Sequence, residues 1–320
     1  MRNLMLCGAS TLALAVPLSA VAQEFPNRPI TVIIPASPGG GTDTFGRKVA
    51  EQAQKLFNQP LIVENRGGGS GTVGIGQMTR AKPDGYTVGF VWNSPLTAVP
   101  HSLNVPYESA DYSALMSIGY SSYVICAQPD FPADSGKALI EELRANPDKY
   151  TIGNDGVGGT MQLASERIFA KAGVKVRQIP FKGAGDTAKN FLGGHIDLYG
   201  GSITAIQPHM TAGKAKCLLL SSAERNPTLP QASGLADLGL QDEETVLWWG
   251  LLVPANTPQD IKEKLESTFM EAAASESVKE AMTKQGAINR PRGAAETNKL
   301  IAQEYTALQQ VANSIGLEKK

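Results

Sequence analysis

The chain alternates short, unbroken apolar runs with longer stretches in which apolar residues recur every three or four positions. Ile30-Thr31-Val32-Ile33-Ile34 is β-branched throughout and reads as a buried strand. Pro35 to Gly41 is a Pro/Gly loop, and Thr42 or Asp43 can cap a helix reaching about Phe57. Leu61 to Glu64 reads as the next strand, Gly67-Gly68-Gly69 as its loop, and about Val73 to Ala81 as a second helix. Pro83-Asp84-Gly85 is a turn before a strand from Tyr86 to Val91. Strands joined by helical crossovers predict a largely parallel sheet.

The pattern restarts near Tyr123. Strands are expected at Tyr123 to Ala127, Tyr150 to Gly153, Val174 to Ile179, Ile196 to Tyr199 and Lys216 to Ser221. Helices are expected at Gly136 to Asn146, Thr160 to Ala172 and Asp186 to Leu192. The last third holds the apolar run Leu247 to Val253, then helices at about 258–274, 276–285 and 293–315. This third is expected to pack back on the first α/β unit. That gives a signal peptide at 1–22, a first domain from 23–125 plus 223–320, and an inserted second domain at 126–222. The two connecting strands would form a hinge.

Three Gly-rich loops share one geometry, each following a strand and opening a helix. They are Ser37 to Asp43, Gly156 to Thr160, and Lys182 to Thr187. Glycine lets backbone N–H groups approach a ligand closely. Helix N-termini leave about four unpaired donors and a partial positive charge, which suits an anion. In open α/β sheets such loops gather at the carboxyl ends of the strands. Two edges facing each other would make a cleft that grips a carboxylate. Any single loop could be an ordinary strand-to-helix turn, and Asp43 and Asp186 could simply cap helices. Asp197 could simply close a strand.

Composition narrows the field. Basic and acidic residues number 29 and 30, with no basic stripe, so nucleic acid is a poor partner. The N-terminus reads Met1-Arg2-Asn3, an apolar run from Leu4 through Val16, then Ala20-Val21-Ala22. That is the pattern of a secretory signal peptide, cut after Ala22. The run is too short for a membrane span, which needs roughly 20 residues. Cys7 lies inside the run and does not read as a lipid anchor. After export Cys126 and Cys217 remain, each in an apolar strand-like stretch. Two buried free thiols are the favoured reading, with a disulfide chemically allowed in an oxidising compartment.

Catalytic signals are thin. Gly69 to Gly74 matches G-x-G-x-x-G, but Trp92-Asn93-Ser94 stands where a dinucleotide fold needs an acid. His101, His195 and His209 show no metal-ligand spacing. No cofactor and no metal are expected. Trp92 ends a strand at the cleft edge and could wall a pocket or pack in the core. Of Trp248 and Trp249, one should face the core and the other the cleft or hinge.

The ordered motifs carry a resemblance. Phe25 to Ile30 leads into Ile34 to Asp43, followed by Val63 to Gly68 and Lys82 to Thr87. Later come Pro180 to Gly183, Leu192 to Asp197, and Gly250 to Pro258. Together they resemble the TctC/Bug family, the extracytoplasmic receptors of tripartite tricarboxylate transporters. The resemblance spans essentially the whole mature chain.

It implies a type II periplasmic-binding-protein fold, with two α/β domains, a hinge and an interdomain cleft that closes like a Venus flytrap. It implies no catalysis. The ligand would be a small organic carboxylate, held largely by backbone amides and ordered waters. The candidate ligand-binding residues are Ala36, Ser37, Gly40, Thr42 and Asp43 in the first loop, and Trp92, Asn93 and Ser94 at the strand end. Gly156, Gly158, Gly159, Thr160, Lys182, Gly183, Asp186 and Ser202 would contribute from the second domain. Partners would be the large and small integral membrane subunits of a transporter, with the receptor itself a periplasmic monomer.

Departures from the family bear on specificity. Gly159 stands where Ser or Thr is common, Gln162 where His is common, and Gly46-Arg47 where Ala-Arg is common. Small hydroxyl residues are usual around Trp92. The indole favours an aromatic acid such as terephthalate slightly over an aliphatic di- or tricarboxylate. Two other readings stay open: a ligand sensor for a membrane signalling protein, and an exported hydrolase or lyase. The second lacks a nucleophile–base pair.

Overall fold

The computed structural model describes residues 25–36, 38–39, 41–181, 184–317 and 319. The expected leader segment therefore lies outside the described residues. The strands are β1 (Ile30–Ile34), β2 (Leu61–Asn65), β3 (Thr87–Trp92), β4 (Tyr112–Ala127), β5 (Thr151–Asn154), β6 (Arg177–Pro180), β7 (Leu198–Ser202), β8 (Lys216–Leu220), β9 (Val246–Pro254) and β10 (Ile288–Gly293). The helices are α1 (Gly41–Phe57), α2 (Thr72–Thr79), α3 (Ser94–Thr97), α4 (Gly136–Ala145), α5 (Thr160–Ala172), α6 (Ala184–Leu192), α7 (Ile203–Thr211), α8 (Gln259–Ala273), α9 (Glu276–Thr283) and α10 (Ala294–Ser314).

The strands run in the order β2-β1-β3-β9-β4-β7-β5-β6, with β8 and β10 also pairing with β4. Each end of this order is parallel, as the crossover pattern requires: β1 with β2 and β3, and β5 with β6 and β7. The centre is not. β9 runs antiparallel to both β3 and β4, and β4 runs antiparallel to β7 and β8. The expectation of a largely parallel sheet holds only for the outer strands. β4 joins the two halves, because its 16 residues pair with β9 up to Ser122 and with β7 from Tyr123 onward.

The packing follows from the periodicities. On α1, Phe45, Val49, Ala53 and Phe57 recur every fourth position and bury one face. Phe57 meets Phe269 of α8 edge to face at 5.5 Å between ring centres. Burying each such ring stabilises the fold by about 1.5–3 kcal/mol. At Gly46 a Cβ would lie 2.6 Å from Ile34 and 2.8 Å from Phe90. The helix therefore approaches the sheet too closely for alanine, which accounts for the Gly46-Arg47 departure. A second core fills the other half, built from Leu139, Ile152, Ile168, Phe169 and Leu198 among others.

Cys126 and Cys217 correct the favoured reading of free thiols. They are direct partners across β4 and β8 and are joined as a disulfide. The bridge closes a loop of 91 positions. By a chain-entropy argument, a loop of that size is worth about 4–5 kcal/mol of unfolded-state restriction.

Four elements escaped the sequence pattern, the one-turn α3 among them. The first half of β4, Tyr112 to Ser122, lacks a continuous apolar run. β10 contains Arg290 and Pro291, and its register shifts between Asn289 and Arg292. Proline is confined to such bulges and edges because it cannot donate to the ladder. α7 carries Pro208 inside it, which argues against a helix on sequence grounds. Among the described residues, no helix is long and apolar enough to cross a membrane.

Candidate ligand-binding cleft

A cavity of about 710 Å³ opens between the two halves, within the size range of small-molecule sites. From the β1–β3 side it is walled by Ala36, Gly41, Thr42, Ser70, Trp92 and Ser94. From the other side it is walled by Tyr123, Asp155, Gly156, Gly159, Phe181 and Ser202. These groups stand together because parallel strands deliver their loops to one edge. β1 ends before Ala36, β3 ends at Trp92, β5 ends before Asp155 and β7 ends at Ser202.

Of the sequence candidates, Ala36, Thr42, Trp92, Ser94, Gly156, Gly159 and Ser202 line the cavity. Ser37, Gly40, Lys182 and Gly183 lie outside the described residues. Asp43, Asn93, Gly158, Thr160 and Asp186 are not on the wall. Asp43 is 5% exposed and structural in its bonding. Its carboxylate accepts from Gly39 N (2.9 Å), Asn65 Nδ2 (2.8 Å) and Arg47 Nε (2.9 Å). Burial pushes its pKa up, but these hydrogen bonds and the Arg47 charge outweigh burial, so the carboxyl titrates below its usual range.

Asn93 is fully buried and donates to Val246 O and to Glu304 Oε1. Gly158 N donates to Gln162 Oε1 at 2.7 Å, and Thr160 is buried at the start of α5. Asp197 stands just before β7 rather than at a strand's end and ties it to β5, accepting from Thr151 N and Thr151 Oγ1 at 2.7 Å each.

The tryptophans divide as the sequence anticipated. Trp248 is buried and donates from Nε1 to Glu304 Oε2 at 2.6 Å. Trp249 lies on the cavity wall, meets Phe45 edge to face, and donates to Thr42 Oγ1 at 3.1 Å. Trp92 rests on Gly71, where a Cβ would come within 2.6 Å of the indole. Gly71 has φ of 92°, so it supplies both the turn and the space for the ring.

The wall residues that sequence reasoning missed include Ser70, Tyr123, Phe181, Trp249 and, most consequentially, Asp155. An acid in the loop Asn154-Asp155-Gly156 was visible, but the glycines around it read as an anion cradle. Asp155 accepts from Met161 N with its two oxygens at 3.2 and 3.4 Å. Enclosure by protein pushes its pKa up to about 6, although the backbone N–H groups of Met161 and Gln162 pull it down. Burial, and then the Asp155 charge, raise the Tyr123 hydroxyl well above its usual range, so it stays protonated. Among the described residues, Asp155 is the one charged side chain on the wall, and no cluster of metal-ligating residues occurs.

Known proteins match this architecture. The profile of the tripartite tricarboxylate transporter family receptor, TctC, matches residues 45–317. Protein BugT of Bordetella pertussis is 29% identical over 314 residues, covering 97% of this chain and 96% of that protein. The solved structure of the periplasmic binding protein BugD superposes with a TM-score of 0.78 at 28% identity, over 92% of this chain and all of that one. MatC from Rhodopseudomonas palustris, solved with bound malate, has a TM-score of 0.76 at 25% identity, over 90% of this chain and 99% of that one.

Proposed function

Because this chain belongs to the tripartite tricarboxylate transporter family of receptors, we propose that it captures a small organic carboxylate in the interdomain cleft and delivers it to membrane transporter subunits. The family is one of solute-binding receptors, and its two-domain fold is that of periplasmic binding proteins. The observation that carries the proposal is the cavity itself. Helices α1, α6 and α7 all begin on its wall, through Gly41 and Thr42, Ala184 and Gly185, and Thr204 and Ala205. First-turn amides of this kind favour an anion. The malate held by MatC supports the same ligand class.

An aromatic acid is the favoured ligand. Trp92, Trp249, Tyr123 and Phe181 all border the cavity, with Leu247 and Val99 between them. A planar ring fits between such faces and gains from offset or edge contacts. The binding residues would be Ala36, Thr42, Trp92, Ser94, Gly156, Gly159 and Ser202, with the two domains closing on the ligand by hinge motion about β4. The working form would be a periplasmic monomer after removal of residues 1–22, with its domains at 23–125 plus 223–320 and at 126–222.

A thermal-shift screen tests this. A ligand at 100 times its dissociation constant should stabilise the fold by about 2.7 kcal/mol. Benzoates and related ring acids should raise the melting temperature more than succinate, adipate or citrate. Trp92→Ala should remove that preference while leaving the aliphatic acids unaffected. Shifts confined to aliphatic acids would overturn the aromatic assignment. No shift with any acid, repeated on refolded protein to strip a bound ligand, would overturn the carboxylate reading.

A further inference from the structure

The cavity has two electrostatic characters. The first turn of α7 holds no acidic residue, and its N-cap Ser202 makes no side-chain capping bond. The N-terminus of α5 differs, because the chain's own carboxylate, Asp155, accepts the Met161 N–H at 3.2 Å. The amides beside it are engaged too. Gly156 N donates to Asn154 Oδ1 at 3.1 Å, Gly158 N to Gln162 Oε1 at 2.7 Å, and Gly159 N to Gly156 O at 3.0 Å. At Gly159 a Cβ would stand 2.3 Å from Asp155 Oδ1, so glycine there makes room for the carboxylate. Among the described residues, no Lys, Arg or His shares the wall with Asp155.

We infer that the ligand carries a cationic amino group as well as its carboxylate, with Asp155 holding the amine while the open N-terminus of α7 holds the acid. The inference rests on the carboxylate reading above and narrows it. A carboxylate enclosed by protein, with no cation beside it among the described residues, is poorly solvated, and a ligand ammonium supplies both the charge and hydrogen-bond donors. A second ligand carboxylate at this point would meet like charge instead. The enclosure that pushes Asp155 up to about 6 still leaves it ionised at the pH of the test. Tyr123, protonated and on the same wall, can donate to the ligand carboxylate or accept from its ammonium.

Calorimetric titration at pH 7.5 with three matched ring acids tests the inference: 4-(aminomethyl)benzoate, terephthalate and 4-methylbenzoate. Wild type should bind the amino acid at least about tenfold tighter than terephthalate, the equivalent of one charge-assisted hydrogen bond. Asp155→Asn keeps an acceptor for Met161 N and should weaken the amino acid by a similar factor, closing or reversing the gap. Terephthalate binding wild type as tightly as the amino acid, or an unchanged ratio in Asp155→Asn, would overturn the inference and leave the carboxylate reading standing. If none of the three binds wild type, the inference falls together with the aromatic assignment, and the wider acid screen decides the carboxylate reading. The wild-type comparison decides the matter even if the variant misfolds.

Discussion

The loops after β1 and β5 are topological counterparts, each leading from a parallel strand into a helix at the cleft, yet their acids behave oppositely. Asp43, after β1, accepts from Gly39 N, Asn65 and Arg47, and its pKa falls. Asp155, after β5, has backbone donors but no ion pair among the described residues, and its pKa rises to about 6. The same residue type in the same kind of loop is therefore structural in one case and poised toward the cavity in the other. What separates them is donor supply against desolvation: Asn65 and Arg47 add to the Gly39 N–H at Asp43, whereas desolvation outweighs the backbone donors at Asp155.

The comparison can be broken most strongly through glycine. Gly39 and Gly158 both have positive φ, but a Cβ at Gly39 meets nothing within 4 Å. A Cβ at Gly158 would lie 2.2 Å from the Ser102 hydroxyl of the opposite half. Gly39→Ala should cost about 1 kcal/mol of backbone strain. Gly158→Ala should cost about 3 kcal/mol or more, because it combines that strain with a clash across the cleft. Urea denaturation of the two variants checks this, and equal costs would mean the halves separate freely.

A smaller effect separates the two acids. Asp43→Asn removes the Arg47 ion pair and puts an amide donor into a site built from donors, so it should lose about 2 kcal/mol. Asp155→Asn should leave stability at pH 7.5 unchanged or raised, since it removes a charge that has no counterion among the described residues. Equal losses in thermal melts would abolish the distinction drawn above.

The smallest effect asks whether a raised pKa is peculiar to the cleft. Glu304 is half-buried behind Asn93, and desolvation pushes its carboxyl up to about 7 despite donors from Trp248 and Asn93. An acid whose folded pKa is raised stays protonated longer in the native state. Its ionisation therefore costs stability as pH rises from about 4.5 to about 7. At about 1.4 kcal/mol per pKa unit, wild type should lose about 2 kcal/mol more than Glu304→Gln between pH 5 and pH 7.5. Parallel pH profiles for the two proteins would refute the raised pKa.

Local pattern made most of the elements legible. The buried run Ile30 to Ile34, the spacing of Phe45, Val49, Ala53 and Phe57, and the helix Thr160 to Ala172 each depend on neighbours three to four residues away or fewer. The glycine-rich loops marked the cleft for the same reason, because positive φ and helix starts are local properties. Seven of the candidates do line the cavity. β10 and the first half of β4 were not legible, since their pairing is supplied by strands far away in the chain.

The sequence by itself determined where most of the strands, helices and glycine turns fall, that two α/β units follow one another, and, through its ordered motifs, the family. Periodicity and backbone freedom act over a few residues, so they survive in one dimension. Only the tertiary structure decided that Cys126 meets Cys217, that Trp249 and not Trp248 reaches the cleft, and that Asp155 takes the anion position its own loop offered. Those outcomes turn on which distant groups become neighbours. Charge, burial and hydrogen-bond supply at a point in space are set by all the elements that converge there, and no single stretch of chain records their sum.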